Sequence, residues 1–296
     1  MLYYNYIKWS TLSIMRQQIY KFTVMTSPCE VHIYSNDESK SRSIAKSILN
    51  MAKELEKKYN FYNPNSYLSA LNRREINTLD NQTRDLLTRA KLFYNRTNGI
   101  FDITMGTVIE ARKSPTIEKI EKRTKELNPF IGVEHFKIKR DKLIFDNPHT
   151  LIDLGGFVKE YAVDQAVKIL KREKITSALV NFGGDIYALG LKPNGHPFTI
   201  GIKNPLNPTQ YITDISISNQ ALTTSASYER HHTIEGKEFS HIISSNTLQR
   251  ETLSATVISS STLESGVFST ALMVEPTLET PLQKILIDKK LNISKK

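Results

Sequence analysis

The stretch LIDLGGFVKEYAVD (residues 151–164) joins an apolar run to an amphipathic run through two adjacent glycines. The apolar residues predict the end of a buried strand at Thr150–Asp153, and the later periodicity predicts a helix from Tyr161 to Lys174. Paired glycines let a ligand approach the backbone closely, and a helix N-terminus favours an anion. The stretch therefore predicts a site for a phosphate-bearing cofactor, although a tight turn without a ligand has the same pattern.

A second glycine pair lies in VNFGGDI (residues 180–186), after an apolar run at 177–182 that predicts another buried strand. We expect the turn at Gly183-Gly184 to shape the wall of the same pocket. Neither turn has the spacing of a dinucleotide-binding fingerprint or of a P-loop. The two turns together favour a cofactor site but do not identify its ligand.

The remaining pattern predicts an α+β fold in a single domain. Helical periodicity covers 38–59, 80–97 and 262–272, a charged segment at 112–130 is also helical in character, and a hairpin is expected at 136–145. Further strands are predicted at 20–25, 30–34, 198–202, 210–217, 221–225, 240–243, 253–258 and 284–287, of which the first two are separate strands or one bulged strand. Because strands and helices do not alternate strictly, a largely antiparallel sheet is expected. Residues 1–17 are predicted to be a poorly ordered extension, and residues 18–290 the domain.

The composition limits the classes of protein to which this chain can belong. The chain has 40 Lys and Arg against 30 Asp and Glu, which raises the chance of an anionic ligand, but the basic residues are dispersed and no nucleic-acid motif accompanies them. Cys29 is the only cysteine, so a disulfide within the chain is excluded. No signal sequence, lipoprotein box or membrane span is recognisable. We therefore expect a cytoplasmic protein with no integral membrane segment and no nucleic-acid partner.

Three other segments carry polar groups suited to chemistry. Asp102 lies between apolar residues in GIFDIT (99–104), where a buried carboxylate needs partners. Residues 223–230 offer clustered hydroxyls, and His241 lies beside an apolar pair in SHII (240–243). A structural histidine is the commoner case for such a residue. Among the seven histidines, His241 is nevertheless the best candidate for acid–base work.

These segments, in this order between residues 20 and 275, resemble the FAD:protein FMN transferase (ApbE) family. The matching pieces are Met25-Thr26, FYNPNS (61–66), Leu71-Asn72, GIFDIT (99–104), IDLGGFVK (152–159), VNFGGD (180–185), Thr224-Ser225, Tyr228–Arg230, SHII (240–243) and Ser269–Ala271. The resemblance implies a T-fold-related mixed sheet with packed helices. It also implies a magnesium-dependent transferase that moves FMN from FAD to a Thr or Ser of a target flavoprotein and releases AMP.

The resemblance also implies roles for individual residues. Met25 and Tyr62 would border the isoalloxazine ring, with Tyr62 stacked on it, and Ile100, Phe101 and Asp102 would line the FAD pocket. Asp153, Lys159 and Ile243 would contact the dinucleotide, and His241 would be the catalytic residue near the acceptor hydroxyl. The Mg²⁺ ion would be held by the carbonyl of Gly156 and by Ser269 and Thr270.

The sequence departs from the family pattern mainly on the metal and acceptor side. Gly266 stands where the family has an aspartate that binds the metal, and Glu160 replaces the glycine that follows the motif lysine. Ser244 and Ala226 replace an acid and a glycine of two further motifs. Two main hypotheses follow. The first is an active flavin transferase or a related FAD pyrophosphatase, and the second is a weak or inactive FAD-binding homologue that serves as a carrier or interaction protein. A basic protein that binds nucleic acid is the third and least favoured. If the lost carboxylate limits activity, Gly266→Asp is expected to raise it.

Overall fold

The computed structural model describes residues 15–109, 116–226, 231–234, 237–240 and 252–295. The helices in this part of the chain are α1 (Glu38–Tyr59), α2 (Tyr67–Asn72), α3 (Asn81–Arg96), α4 (Gly106–Ile109), α5 (Ile117–Leu127), α6 (Val158–Arg172) and α7 (Thr262–Val274). The strands are β1 (Arg16–Val24), β2 (Ser27–Ser35), β3 (Phe136–Lys139), β4 (Lys142–Phe145), β5 (Ala178–Phe182), β6 (Asp185–Leu189), β7 (Phe198–Asn204), β8 (Asn207–Ile217), β9 (Gln220–Ala226), β10 (His231–Ile234), β11 (Lys237–Ser240), β12 (Thr252–Ser259), β13 (Gln283–Asp288) and β14 (Ile293–Lys295).

Eight strands form the main sheet in the order β1-β2-β5-β6-β9-β12-β13-β14. Each pair of neighbouring strands in this sheet is antiparallel, as in the β2–β5 register Cys29↔Phe182 and the β6–β9 register Asp185↔Thr223. The remaining strands form three hairpins, β3–β4, β7–β8 and β10–β11. The α+β fold class expected from the sequence is confirmed.

The two faces of the sheet are covered differently. Helices α1, α6 and α7 cover one face, where apolar side chains such as Phe157, Phe182 and Val257 form the larger core cluster. The β7–β8 hairpin covers the other face, where Ile202 and Leu222 belong to a second apolar cluster. Burial on both faces explains why all five residues of β6 are buried and why its sequence lacks an alternating pattern.

The helices begin where short polar side chains cap them, as their sequences suggest. Asp37 accepts a hydrogen bond of 2.8 Å from Lys40 N at the start of α1, and Asp80 accepts one of the same length from Thr83 N at α3. Helix α6 begins at Val158, one turn before the predicted Tyr161, and no side-chain bond caps its first turn at Phe157. At this helix start the N–H groups of Phe157 and Val158 donate instead to the carbonyl of Leu154, at 3.0 and 2.9 Å.

The strand predicted at Thr150–Asp153 is not a member of the sheet. Only Leu151 forms an isolated parallel bridge, to Met105. The Asn72 side chain binds both backbone groups of Ile152, donating to its carbonyl at 2.8 Å and accepting from its N–H at 2.9 Å. The segment is extended and buried as expected, but the Asn72 amide takes the place of a neighbouring strand.

The predicted boundaries differ from the observed ones at both ends of the domain. Strand β1 begins at Arg16 and β14 ends at Lys295, so the folded part extends beyond both ends of the predicted 18–290 domain. Both are edge strands of the sheet, and exposed polar residues weaken their hydrophobic pattern. The strand predicted at 240–243 is described only up to Ser240, the last residue of β11.

Candidate functional site

Several turns lie at one end of the main sheet because its strands are antiparallel. The β1–β2 turn at Met25-Thr26 and the β5–β6 turn at Gly183-Gly184 are there, together with the end of β9 at Ala226 and the start of β12 at Thr252. We call this region the turn end of the sheet. Both glycines have positive φ values, 61° and 97°, which fits the tight β5–β6 hairpin.

Lys159 brings the first turn of α6 to the turn end of the sheet. Its Nζ donates to the carbonyl of Phe182 at 3.4 Å and forms an ion pair with Asp185, the first residue of β6. The two side chains are only 15% and 3% exposed. Lys159 is thus a nearly buried cation beside the two glycine turns, where it lies in position to meet an anionic group.

The Gly155-Gly156 turn is the exposed edge of this region. A Cβ atom added at Gly156 would meet nothing within 4 Å, so the space beside its backbone is open. Gly155 N donates to Asp153 Oδ1 at 2.9 Å, and Asp153 N donates to the carbonyl of Ile103 at 2.7 Å. Burial raises the pKa of the Asp153 carboxyl, opposed by the Gly155 hydrogen bond.

The loop carrying Asp102 lies next to this turn, because Met105 and Leu151 form the isolated bridge. Asp102 Oδ1 accepts hydrogen bonds of 2.7 Å from both the N–H and the hydroxyl of Thr104. Burial raises the pKa of the Asp102 carboxyl, while the Thr104 bonds act to lower it. The carboxylate therefore braces its own loop as well as lying beside the site.

Phe101 and Ile100 differ in their surroundings. The Phe101 ring is buried, with its centroid 5.8 Å from that of Phe157, so it packs into the core and fixes the loop from below. Ile100 is half-buried against the same core. Of the two, Ile100 is the residue whose side chain also reaches the surface.

Tyr62 stands out from the loop that precedes α2. Its side chain is 69% exposed, and its ring packs edge-on to Phe61 with centroids 5.4 Å apart. The Phe61 ring would lie 3.0 Å from a Cβ added at Gly106, which places Phe61 against the start of α4. Tyr62 therefore lies near the loops of Asp102 and Asp153 and presents an aromatic surface to solvent.

Met25 lies in the turn between β1 and β2, with a φ of 52° that is uncommon for a residue other than glycine. Its N–H donates to Glu56 Oε1 of α1 at 2.8 Å, which holds the turn in place. The β5–β6 turn is adjacent, since Gly183 N donates to the carbonyl of Pro28 at 2.9 Å. The backbone thus brings Met25 to the same end of the sheet as Lys159.

Hydroxyl groups from β9 and α7 form a cluster on the helix-covered face. Ser225 Oγ lies 2.8 Å from Ser269 Oγ and 3.3 Å from Thr270 Oγ1. Ser269 is fully buried and also donates to the carbonyl of Gly266 at 3.0 Å, whereas Thr270 is half-buried. Of the two predicted metal-binding hydroxyls, Thr270 is the more accessible.

Three residues of the candidate site were not predicted individually from the sequence. Asn72 positions the backbone that leads to Asp153, Asp185 pairs with Lys159, and Glu160 lies against Gly266. The first two lie within segments that carry the family resemblance, which is the signal that marks them. The only signal at Glu160 is that its position departs from the family pattern.

His241 and Ile243 lie outside the residues that the structure describes, so their roles remain predictions. Within the described ranges, no group of three or more His, Cys, Asp or Glu side chains is arranged to hold a metal ion. None of the helices in those ranges is long and apolar enough to span a membrane.

Comparison with known proteins identifies the class. A sequence model of the ApbE family matches residues 25–283, and the chain belongs to this family. A crystal structure of the ApbE protein from Thermotoga maritima superimposes with a TM-score of 0.84 at 25% identity, covering 95% of this chain and 97% of that one. The single-domain α+β fold is thereby confirmed.

The curated relatives match this chain over smaller shares of their length. A protein from Vibrio cholerae named FAD:protein FMN transferase is 27% identical over 73% of this chain and 69% of its own length. One of the same name from Klebsiella pneumoniae is 29% identical over 56% of this chain and 50% of its own length. The chain therefore spans about half the length of one of these relatives.

Proposed function

We propose that this chain is an FAD:protein FMN transferase that moves FMN from FAD to a Thr or Ser hydroxyl of a target flavoprotein. The acceptor oxygen forms a bond to the phosphorus of the FMN half. The bond from that phosphorus to the bridging oxygen of the pyrophosphate breaks, AMP leaves with this oxygen, and the hydroxyl gives up its proton. The names of the relatives and the family membership support this reaction.

The observation that carries the proposal is the meeting of a partly buried lysine, an open glycine turn and a hydroxyl cluster at one end of the sheet. Lys159 supplies an ammonium donor, and the free space at Gly156 admits a ligand next to the N-terminus of α6. Phosphoryl transfer is catalysed mainly by positioning and by charge stabilisation, and these are the groups it requires.

The flavin half of FAD is assigned to the loops on the other side of the Gly155-Gly156 turn. We infer that the exposed Tyr62 ring stacks on the isoalloxazine and that Met25 borders it. Ile100 and Asp102 line the pocket, while Phe101 supports it from the core. Asp153, held by Gly155 N, is placed to contact the dinucleotide, and Ile243 is assigned the same role by resemblance.

We further propose that the reaction depends on Mg²⁺. Hard oxygen donors suit this ion, and Thr270, Ser269 and the carbonyl of Gly156 are of that kind. The buried Glu160 Oε2, which has no hydrogen-bond partner among the described residues, adds a carboxylate to the same region. When bound, the ion offsets the negative charge of the pyrophosphate. We assign to His241 the role of accepting the proton that the acceptor hydroxyl gives up.

The test is to incubate the purified chain with FAD, Mg²⁺ and a peptide of the Asp-x-x-Ser/Thr-Gly-Ala-Thr type. AMP release is measured by chromatography, and the mass of the peptide is determined by mass spectrometry. We expect AMP and FMN-bearing peptide in equal amounts, with neither formed when EDTA is present. Tight FAD binding without AMP would favour the inactive FAD-binding homologue instead.

A further inference from the structure

Glu160 and Gly266, the two departures from the family pattern that affect the metal side, are in contact in the structure. A Cβ atom added at Gly266 would overlap Glu160 Cγ and lie 3.2 Å from its Cδ and 3.3 Å from its Oε1. The side chain of Glu160 thus lies over the bare backbone of Gly266, across the α6–α7 interface. Any larger residue at 266 would compete with Glu160 for this space.

Half of the Glu160 carboxylate lacks a partner in the part of the chain that the structure describes. Glu160 is only 7% exposed, its Oε2 is buried, and no hydrogen bond to that oxygen is formed. Oε1 lies 3.9 Å from Lys159 Nζ, but this lysine is in closer contact with Asp185. A buried carboxylate oxygen without a donor is unfavourable unless a cation or proton completes it.

The surroundings of Glu160 are those of a cation site. Two carboxylates, Glu160 and Asp185, face the single ammonium of Lys159, so negative charge is in excess. Thr270 is one helical turn beyond Gly266 on the same face of α7, and its hydroxyl is 3.3 Å from Ser225 Oγ. Carboxylate and hydroxyl oxygens are the ligands that Mg²⁺ accepts.

We propose that Glu160 supplies the carboxylate ligand of the Mg²⁺ site, projecting from α6 into the space left by Gly266 on α7. The carboxylate ligand thus comes from α6 instead of α7, and Gly266 leaves the space that the Glu160 side chain occupies. This inference rests on the proposed function, because Mg²⁺ and the FAD pyrophosphate would share the site. The proposal explains both departures from the family pattern together, because the carboxylate absent at Gly266 is supplied by Glu160.

The first test is direct metal binding to the full chain. Mn²⁺ is titrated by calorimetry and by the EPR signal of the free ion, with and without FAD. We expect Glu160→Gln to weaken Mn²⁺ binding by about tenfold or more, since even groups that only support metal ligands contribute this much. Glu264→Gln is the matched control, because Glu264 lies on α7 but pairs with Arg96 Nη2 at 2.6 Å. Its Mn²⁺ affinity should equal that of the wild type.

The second test moves the carboxylate back to α7. Glu160→Gly alone should lose Mn²⁺ affinity, and Glu160→Gly combined with Gly266→Asp should recover part of it. Gly266→Asp alone must displace the Glu160 side chain, so we expect a lower Tm. This replaces the expectation from the sequence that Gly266→Asp alone would raise activity.

The outcomes separate this inference from the proposed function. Wild-type affinity for Mn²⁺ in Glu160→Gln, or no Mn²⁺ binding by the wild type with or without FAD, overturns the role of Glu160. Loss of Mn²⁺ binding in Glu160→Gln, with no AMP formed by the wild type, supports the metal ligand and rejects the transferase. AMP release that is unchanged in Glu160→Gln rejects the ligand and leaves the transferase standing.

Discussion

At the scale of single residues, Asp153 combines a position in the candidate site with an unfavourable environment. Burial raises the pKa of its carboxyl above the ordinary value for aspartate, about 3.9. The stability associated with the protonated group is fully present below the unfolded pKa and is lost as pH rises through the folded one. The carboxylate form therefore opposes folding, and this cost grows as the pH rises.

Asp153→Asn should relieve this cost, because the amide oxygen can still accept from Gly155 N. We expect a higher free energy of unfolding than for the wild type at neutral pH, with the difference shrinking towards zero as pH falls to about 4. Urea unfolding at several pH values measures it. Glu121→Gln in the exposed part of α5 is the control. A variant that is less stable than the wild type at neutral pH would contradict the argument.

Tyr62 is the residue on which flavin affinity can be tested without disturbing the fold. Tyr62→Ala should weaken FAD binding by about fivefold, which corresponds to the ~1 kcal/mol of one aromatic stacking contact. Because the side chain is 69% exposed, the Tm should hardly change. Tyr211→Ala is the matched control, being 70% exposed on β8. Titration of flavin fluorescence measures both, and equal affinities for FAD would refute the stacking role.

At the scale of elements, α6 caps α7. Asp164, in the middle of α6, accepts hydrogen bonds from Thr262 N at 2.7 Å and Leu263 N at 3.1 Å, at the first turn of α7. This pair of bonds satisfies backbone donors that a helix start otherwise leaves open. It also links α6 to α7, the two helices between which Glu160 meets Gly266.

Asp164→Ala should lower the free energy of unfolding by about 1–2 kcal/mol, as for the loss of a strong helix cap. Asp164→Asn should lower it less, since an amide oxygen can still accept. Ser261→Ala removes the other cap of α7, a 3.2 Å bond from Glu264 N, and serves for comparison. Denaturant unfolding followed by circular dichroism measures all three. Equal stability of Asp164→Ala and the wild type would show that α6 does not hold α7.

At the scale of the whole molecule, one sheet joins the two apolar clusters, so the hairpin face and the helix face should unfold together. Ile202 lies in β7, is buried, and packs on the face opposite the candidate site. Ile202→Ala should cost about 2–5 kcal/mol and lower a single cooperative transition. FAD affinity should stay at the wild-type value. Differential scanning calorimetry would contradict this view if a separate low-temperature step appeared.

The sequence by itself determined most of the elements and the family. Periodicity is local, and it located α1, α3, α7, β5 and β12 to within a few residues. The order of short motifs was enough to bring Lys159, Tyr62 and Asp102 into one predicted site. Strand β6 was missed because both of its faces are buried, which removes the alternation that marks a strand.

Only the tertiary structure decided which distant residues meet. The Asn72 amide, 80 positions away in the chain, binds both backbone groups of Ile152, in the segment predicted as a strand that does not join the sheet. The contact of Glu160 with Gly266 likewise depends on how α6 and α7 pack. The local sequence pattern of either helix does not predict that packing. Gly266 was visible in the sequence, but the Glu160 side chain that fills the space beside it was not, because side-chain proximity across helices is a property of the folded core.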